Sequence, residues 1–146
     1  MKKRSNDFVL GAVILGAIVL IVAVSMFLRE SDLGAKKRSL SARFRDVGQV
    51  QVGNSVVIRG VKAGKVEAIE LDATGWVHVR FALDDAVTMP RDPVVLLGAS
   101  SLFGEWQATF TDRQSVPNNR EVATMLANAA GAKDGALAGA VLPDVA

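Results

Sequence analysis

Few side chains in this 146-residue chain are of a type that does chemistry. His78 is the only histidine. It alternates with Trp76 and Arg80 in an extended-looking stretch, with no second base or ligand beside it, and reads as a surface residue. Asp84-Asp85 is the nearest approach to a carboxylate pair for acid–base or metal chemistry. Adjacent residues in a strand point to opposite faces, so the pair reads as a polar turn. Ser100 and Ser101 raise the idea of a Ser/Lys hydrolase, which needs a lysine held against the hydroxyl, and the spacing supplies none. Gly60-Val61-Lys62-Ala63-Gly64 lacks the Gly-Lys-Ser/Thr ending of a phosphate-cradling loop. With no cysteine, disulfides and thiolate metal sites are excluded. The expectation is a protein with no catalytic residue, no metal and no cofactor.

One loop is out of character. Gly98-Ala99-Ser100-Ser101-Leu102-Phe103-Gly104-Glu105 carries two large apolar residues where a polar turn is expected. Leu102 and Phe103 either fold back onto their own domain or stand out as a contact for lipid, ligand or another subunit. Composition alone favours the fold-back.

The elements that would hold this loop are strands. Gly48 to Leu71 is punctuated by Gly48, Gly53, Gly60 and Gly64, with Val56-Val57-Ile58 and Val66–Leu71 between them. Glycines supply the positive φ of tight connections, and the apolar runs are short and β-branched. Leu40, Ala42 and Phe44 alternate with polar neighbours. In Trp76–Leu83, Val77, Val79, Phe81 and Leu83 face one way and Trp76, His78, Arg80 and Ala82 the other. Asp72-Ala73-Thr74-Gly75 makes Val66–Leu71 and Trp76–Leu83 a hairpin. Val94–Leu97 and Trp106–Phe110 follow the stiff Met89-Pro90-Arg91-Asp92-Pro93 connection. About six or seven short strands predict a compact barrel or sandwich.

Phe8–Leu28 has no charge and no polar face. As a helix it spans roughly 30 Å, the thickness of a bilayer core. A cleaved signal peptide would have a shorter apolar region, so a retained single-pass anchor is the preferred reading. Lys2-Lys3-Arg4 favours a cytoplasmic N-terminus, but Arg29 and Lys36-Lys37-Arg38 follow closely, and charge counting leaves the topology open. Ala12 and Gly16 form a small-xxx-small pair. The net charge of +2 resides in the N-terminal cluster, and the neutral remainder argues against nucleic acid. The expected organisation is 1–7 as N-terminus, 8–28 as membrane span, 29–38 as linker, 39–117 as β domain and 118–146 as a tail. In that tail Glu121–Ala130 could be a short helix, and the Gly/Ala-rich 131–140 reads as flexible or ordered by a partner. The ending Leu142-Pro143-Asp144-Val145-Ala146 is abrupt.

Taken in order, several pieces resemble the MCE (mammalian cell entry) domain. They are Phe44-Arg45-Asp46-Val47-Gly48, Val52-Gly53-Asn54-Ser55-Val56, Arg59-Gly60-Val61-Lys62-Ala63-Gly64-Lys65-Val66 and Ile69-Glu70-Leu71. Asp84-Asp85, Met89-Pro90-Arg91-Asp92 and Ser101-Leu102-Phe103-Gly104-Glu105 continue the series. The resemblance covers roughly 39–112, and the preceding span is similar to that of MlaD-like subunits. It implies an all-β fold, a small seven-stranded barrel after a single transmembrane helix, assembling as a homohexameric ring. It also implies a single-pass protein of the bacterial inner membrane with the barrel in the periplasm. Its partners would be an ABC permease and a cytoplasmic ATPase, and its cargo phospholipid or another lipid. Carried over by position, Leu102 and Phe103 would line the ring's channel, which reverses the fold-back preference. Gln49 and Val50 depart from the glycine and leucine that often follow the first glycine, and Phe103 replaces the usual second aliphatic. The alternative is a membrane-anchored periplasmic adaptor of a secretion or efflux system.

Overall fold

The computed structural model describes residues 3–30 and 36–143. The chain divides into two compact units, Met1–Lys36 and Lys37–Ala146. The first is a single helix, α1 (Lys3–Glu30). Within it, Asn6–Leu28 has a mean hydropathy of 2.9 and is long and apolar enough to cross a membrane. Every side chain described along it is exposed, including Phe8, Leu15, Ile18 and Phe27. Its length and hydropathy, with no polar face, match those of a bilayer-spanning helix. Of the linker expected at 29–38, residues 31–35 lie outside the described residues.

The second unit holds seven strands: β1 (Lys37–Phe44), β2 (Ser55–Ile58), β3 (Val61–Leu71), β4 (Val77–Asp84), β5 (Pro93–Ala99), β6 (Trp106–Asp112) and β7 (Leu137–Val141). They close in the order β1-β4-β3-β2-β6-β5-β7, with β7 returning to β1. The expected seven-stranded barrel is therefore present. The hairpin across Asp72–Gly75 also forms, with Leu71 opposite Val77. The strands alternate as their sequence does. Phe44, Val56, Val66, Val79, Phe81, Leu97 and Phe110 point inward and are fully buried. Phe81 and Phe110 meet edge to face at 5.2 Å between centroids, a geometry aromatic quadrupoles favour.

Three boundaries differ from the sequence reading. β1 starts at Lys37, because the basic pair Lys37-Arg38 continues the ladder opposite Asp84 and Leu83. β3 starts at Val61 rather than Val66, because Arg59-Gly60 is a two-residue hairpin loop with φ of 51° and 83°. Both residues then have the positive φ that matches strand twist. Gly64 accordingly marks no turn. It lies inside β3, and a Cβ there would collide with the Ala82 carbonyl.

The larger correction concerns the tail. Instead of a flexible end, 118–143 contributes α2 (Arg120–Ala129) and β7. Asn119 caps α2, its Oδ1 accepting the Glu121 N–H at 2.8 Å. Val122, Leu126 and Ala129 then cover the outward residues Val94 and Leu96 of β5 and Ala138 and Ala140 of β7. This second apolar layer explains why β5 is buried on both faces. β7 pairs with β5 and β1 in parallel, and so closes the barrel. Its small residues are a fit rather than a deficiency. A Cβ on Gly139 would run into the Phe44 ring.

Gly139→Val is expected to destabilise the barrel by about 3 kcal/mol, the upper range for overpacking. Replacing Phe44 by Leu in the same chain should recover part of that loss. Denaturant unfolding of the two single variants and the double variant checks this, and simple additivity would exclude the proposed contact.

Candidate functional site

The strand registers place the two ends of the barrel. Lys37 pairs with Asp84, and Leu83 with Gly64, so the start of β1, the Arg59-Gly60 loop and the β4–β5 connection share one end. Phe44 pairs with Val77 and Ala99 with Trp106, so the opposite end carries the 45–54 connection, the Asp72–Gly75 turn and the β5–β6 loop. Leu102 and Phe103 lie at that opposite end.

The β5–β6 loop is closed by its own polar groups. The Ser100 N–H donates to the Glu105 carbonyl at 2.7 Å, and the Ser100 hydroxyl donates to the same oxygen at 3.1 Å. The Gly104 N–H reaches the Ser101 carbonyl at 3.4 Å, and Ser101 Oγ accepts the Phe103 N–H at 3.3 Å. Gly104 has φ of 83°, the left-handed conformation that ends this turn without strain. Leu102 and Phe103 are the two central residues of the turn, and both side chains are fully exposed. The fold-back favoured by composition does not occur, and the turn is satisfied locally without it. Trp106 packs so tightly against Gly48 that a Cβ there would lie 2.6 Å from the indole. Between Gln49, Trp106 and the loop is an open hollow of about 480 Å³. Gln49 thus borders the loop, while Val50 is buried in the core and plugs this end of the barrel. Their departure from the family pattern falls where the two connections meet.

The remaining candidates have structural partners. Ser100 and Ser101 are engaged in the turn just described. Asp84 Oδ1 accepts the Ala86 N–H, and Asp85 lies 3.5 Å from Arg38. Among the described residues, no group of three or more His, Cys, Asp and Glu side chains could hold a metal. His78 is less solitary than its sequence context suggests. Its Nε2 is 3.0 Å from Asp72 Oδ2 and its Nδ1 is 3.5 Å from Asp134 Oδ2, linking the β3–β4 turn to the α2–β7 connection. Beside it, the guanidinium groups of Arg43 and Arg45 lie 4.5 and 4.7 Å from the centre of the Trp76 ring. Arg43 also donates to the Ala129 carbonyl at 3.1 Å, at the C-terminal end of α2 where a cation complements the helix dipole. The sequence alternation put Trp76, His78 and Arg43 on the outer face. Their use as a clamp on α2 needed the seventh strand to be known.

Fold and loop define a class: a small closed β barrel preceded by an apolar helix long enough to cross a membrane, with a greasy turn at one end. A family model described as "MlaD protein" matches residues 36–113, more than half of the chain, and the chain belongs to that family. The matched span holds β1 to β6, while α2 and β7 lie beyond it. Among solved structures, a chain of the "Acinetobacter MlaFEDB complex in ATP-bound Vtrans1 conformation" is similar, at 16% identity and a TM-score of 0.48. That likeness covers 68% of this chain and 82% of the other. A comparison with curated proteins gives no match.

Asp72 gives the fold an acid-side dependence. The Thr74 hydroxyl donates to its carboxylate at 2.6 Å, and the Trp76 N–H, His78 and the Thr74 N–H add to it. These bonds hold the carboxyl well below the usual range against an opposing effect of desolvation. A depressed folded value means that this contribution is complete above the unfolded value, about 3.9, and is lost as pH falls through the lower folded one. Unfolding midpoints measured downward from pH ~5 should therefore fall more steeply for the natural chain than for Asp72→Asn. Parallel slopes would remove Asp72 from the account.

Proposed function

We propose that this protein is a membrane-anchored, non-catalytic subunit of an ABC-type lipid-transport system. Six copies form a ring, and the Leu102 and Phe103 pairs line its central channel. The observation that carries this reading is the bare apolar turn at the β5–β6 loop in a chain of the MlaD family. Two large hydrophobic side chains held wholly in water by a locally satisfied turn gain nothing for their own fold, and such exposure marks a contact. The MCE resemblance supplies the rest: α1 in the bacterial inner membrane, the N-terminus inside, the barrel in the periplasm, and a permease and a cytoplasmic ATPase as partners.

The chemistry needed is modest. An acyl chain crossing water costs about 0.8 kcal/mol for each exposed CH₂, so a continuous apolar lining removes a large barrier without any bond being made or broken. Symmetry would multiply a two-residue tip into a collar, with the phenyl rings narrowing it more than a second aliphatic would. The first 7 residues, the span 8–28 and a tether fit this arrangement, with the barrel and its α2–β7 closure as the working part.

The combined change Leu102→Asp and Phe103→Asn should leave the unfolding midpoint within the small range typical of surface substitutions, about 0.5 kcal/mol. It should abolish passage of fluorescent phospholipid between donor and acceptor vesicles in the reconstituted system. Undiminished passage, or a particle whose mass in detergent is that of one chain, would reject the channel.

A further inference from the structure

His78 sits where the barrel is joined. On β4 it lies opposite Arg43 of β1, and Arg43 in turn lies opposite Ala138 of β7. Three neighbouring strands thus meet at its level, at the start of the parallel pairing that closes the wall. Its two ring nitrogens face two carboxylates from different parts of the chain. Asp72 of the β3–β4 turn is 3.0 Å from Nε2, and Asp134 of the α2–β7 connection is 3.5 Å from Nδ1. A neutral imidazole has one N–H and one lone pair, so it donates to one carboxylate and turns a lone pair toward the other. Only the imidazolium donates to both.

The two carboxylates are not equal partners. Asp72 is fixed by the Thr74 hydroxyl and by the Thr74 and Trp76 N–H groups, and His78 is among the donors that hold its carboxyl below the usual range. It therefore keeps the single N–H of the neutral ring, and the bare Nδ1 faces Asp134. Asp134 is held more loosely. Its Oδ1 accepts the Ala136 N–H at 3.3 Å, within its own turn. Gly131 and Gly135 flank it with φ of 78° and 74°. Among the described residues, His78 is its one side-chain partner on the barrel wall. The other charges around the ring are already engaged. Glu70 of β3, opposite His78, lies 3.8 Å from Arg80, which also faces Glu67 at 3.4 Å. Arg43 and Arg45 stack on Trp76, and Lys133 beside Asp134 is exposed.

We propose that His78 is a pH-operated latch on the strand that closes the barrel. As an imidazolium it holds Asp72 and Asp134 together and draws the α2–β7 connection onto the wall, just before β7. As a neutral ring it keeps Asp72 and lets Asp134 go. The latched form is the one that binds the extra proton, so acid favours it, and it is lost as pH rises through the range in which histidine discharges. α2 stays in place in either state, since Arg43 holds its last carbonyls and its apolar face is buried on β5 and β7. Release therefore loosens the entry to β7 without unfolding the domain. The latch stands on the barrel's own geometry and does not depend on the channel proposed above.

The natural chain has no cysteine, so the full chain carrying Lys133→Cys takes a single nitroxide label. In detergent solution the mobility of that label, read by electron paramagnetic resonance, should fall in one single-proton step between about pH 8 and about pH 5.5. His78 is the only histidine, and the step should be lost in His78→Gln. It should be lost equally in Asp134→Asn, which keeps the shape of an exposed side chain and leaves the imidazole free to titrate. An Ala127→Cys label on the exposed side of α2 serves as the reference and should show no step. Mobility at position 133 that ignores pH, or a step that persists in Asp134→Asn, would overturn the latch. A step shared by the label at 127 would mean a general loosening of the domain and would equally overturn it.

Discussion

Closure of the barrel depends on the fit between the Phe44 ring and the bare backbone at Gly139. β7 touches β1 through a short parallel register, Ala42 opposite Leu137 and Arg43 opposite Ala138. Parallel pairs are slightly weaker per residue than antiparallel ones, so the join relies on packing from both sides. Inside, Phe44 fills the space a side chain on Gly139 would occupy. Outside, Val122 and Leu126 of α2 press on Ala138 and Ala140. Without that join, β1 and β5 would be left as open edges, with unpaired donors and acceptors available to any passing strand.

The same join determines how the rest of the molecule is arranged. Once the strands are staggered into a closed ring, the two ends acquire different connections, and each end acquires its own chemistry. One has the tight hairpin with Arg59 and Lys62. The other has the plug of Val50, the Trp106–Gly48 contact and the loop of Leu102 and Phe103. The outer clamp of Trp76, Arg43 and Arg45 joins these levels, since Arg43 on β1 holds the end of α2 that leads into β7. An element that reads as an appendage is thus bound to the wall by a stacked cation and by a helix-end hydrogen bond.

Much of this was legible along the chain, and what was missed has a physical cause. Strands with large alternating residues, such as Val77 to Leu83, declare their faces through period-two patterning, and their hairpin followed from the turn residues between them. Leu137-Ala138-Gly139-Ala140-Val141 has almost no such contrast, because its inward side must be empty for Phe44 and its outward side small for α2. Single-sequence patterning detects what a segment brings to a core; it cannot detect the room a segment leaves for others. Gly64 misled for the opposite reason. It resembles a turn glycine, yet it serves the close approach of β3 to the Ala82 carbonyl. The apolar turn was visible at once as an oddity, but its exposure was not, since that depended on Ser100, Ser101 and Gly104 satisfying the loop without help from Leu102 or Phe103.

That self-sufficiency has an evolutionary side. Because serine, glycine and backbone groups alone shape the β5–β6 turn, its two apical positions carry no architectural duty. Mutation can therefore explore bulk and shape there, swapping branched for ring-bearing residues, while the scaffold below stays as it was. Selection at those two codons would then act on function alone, so that apolar exchanges there could give lineages new preferences at little risk to inheritance of the fold.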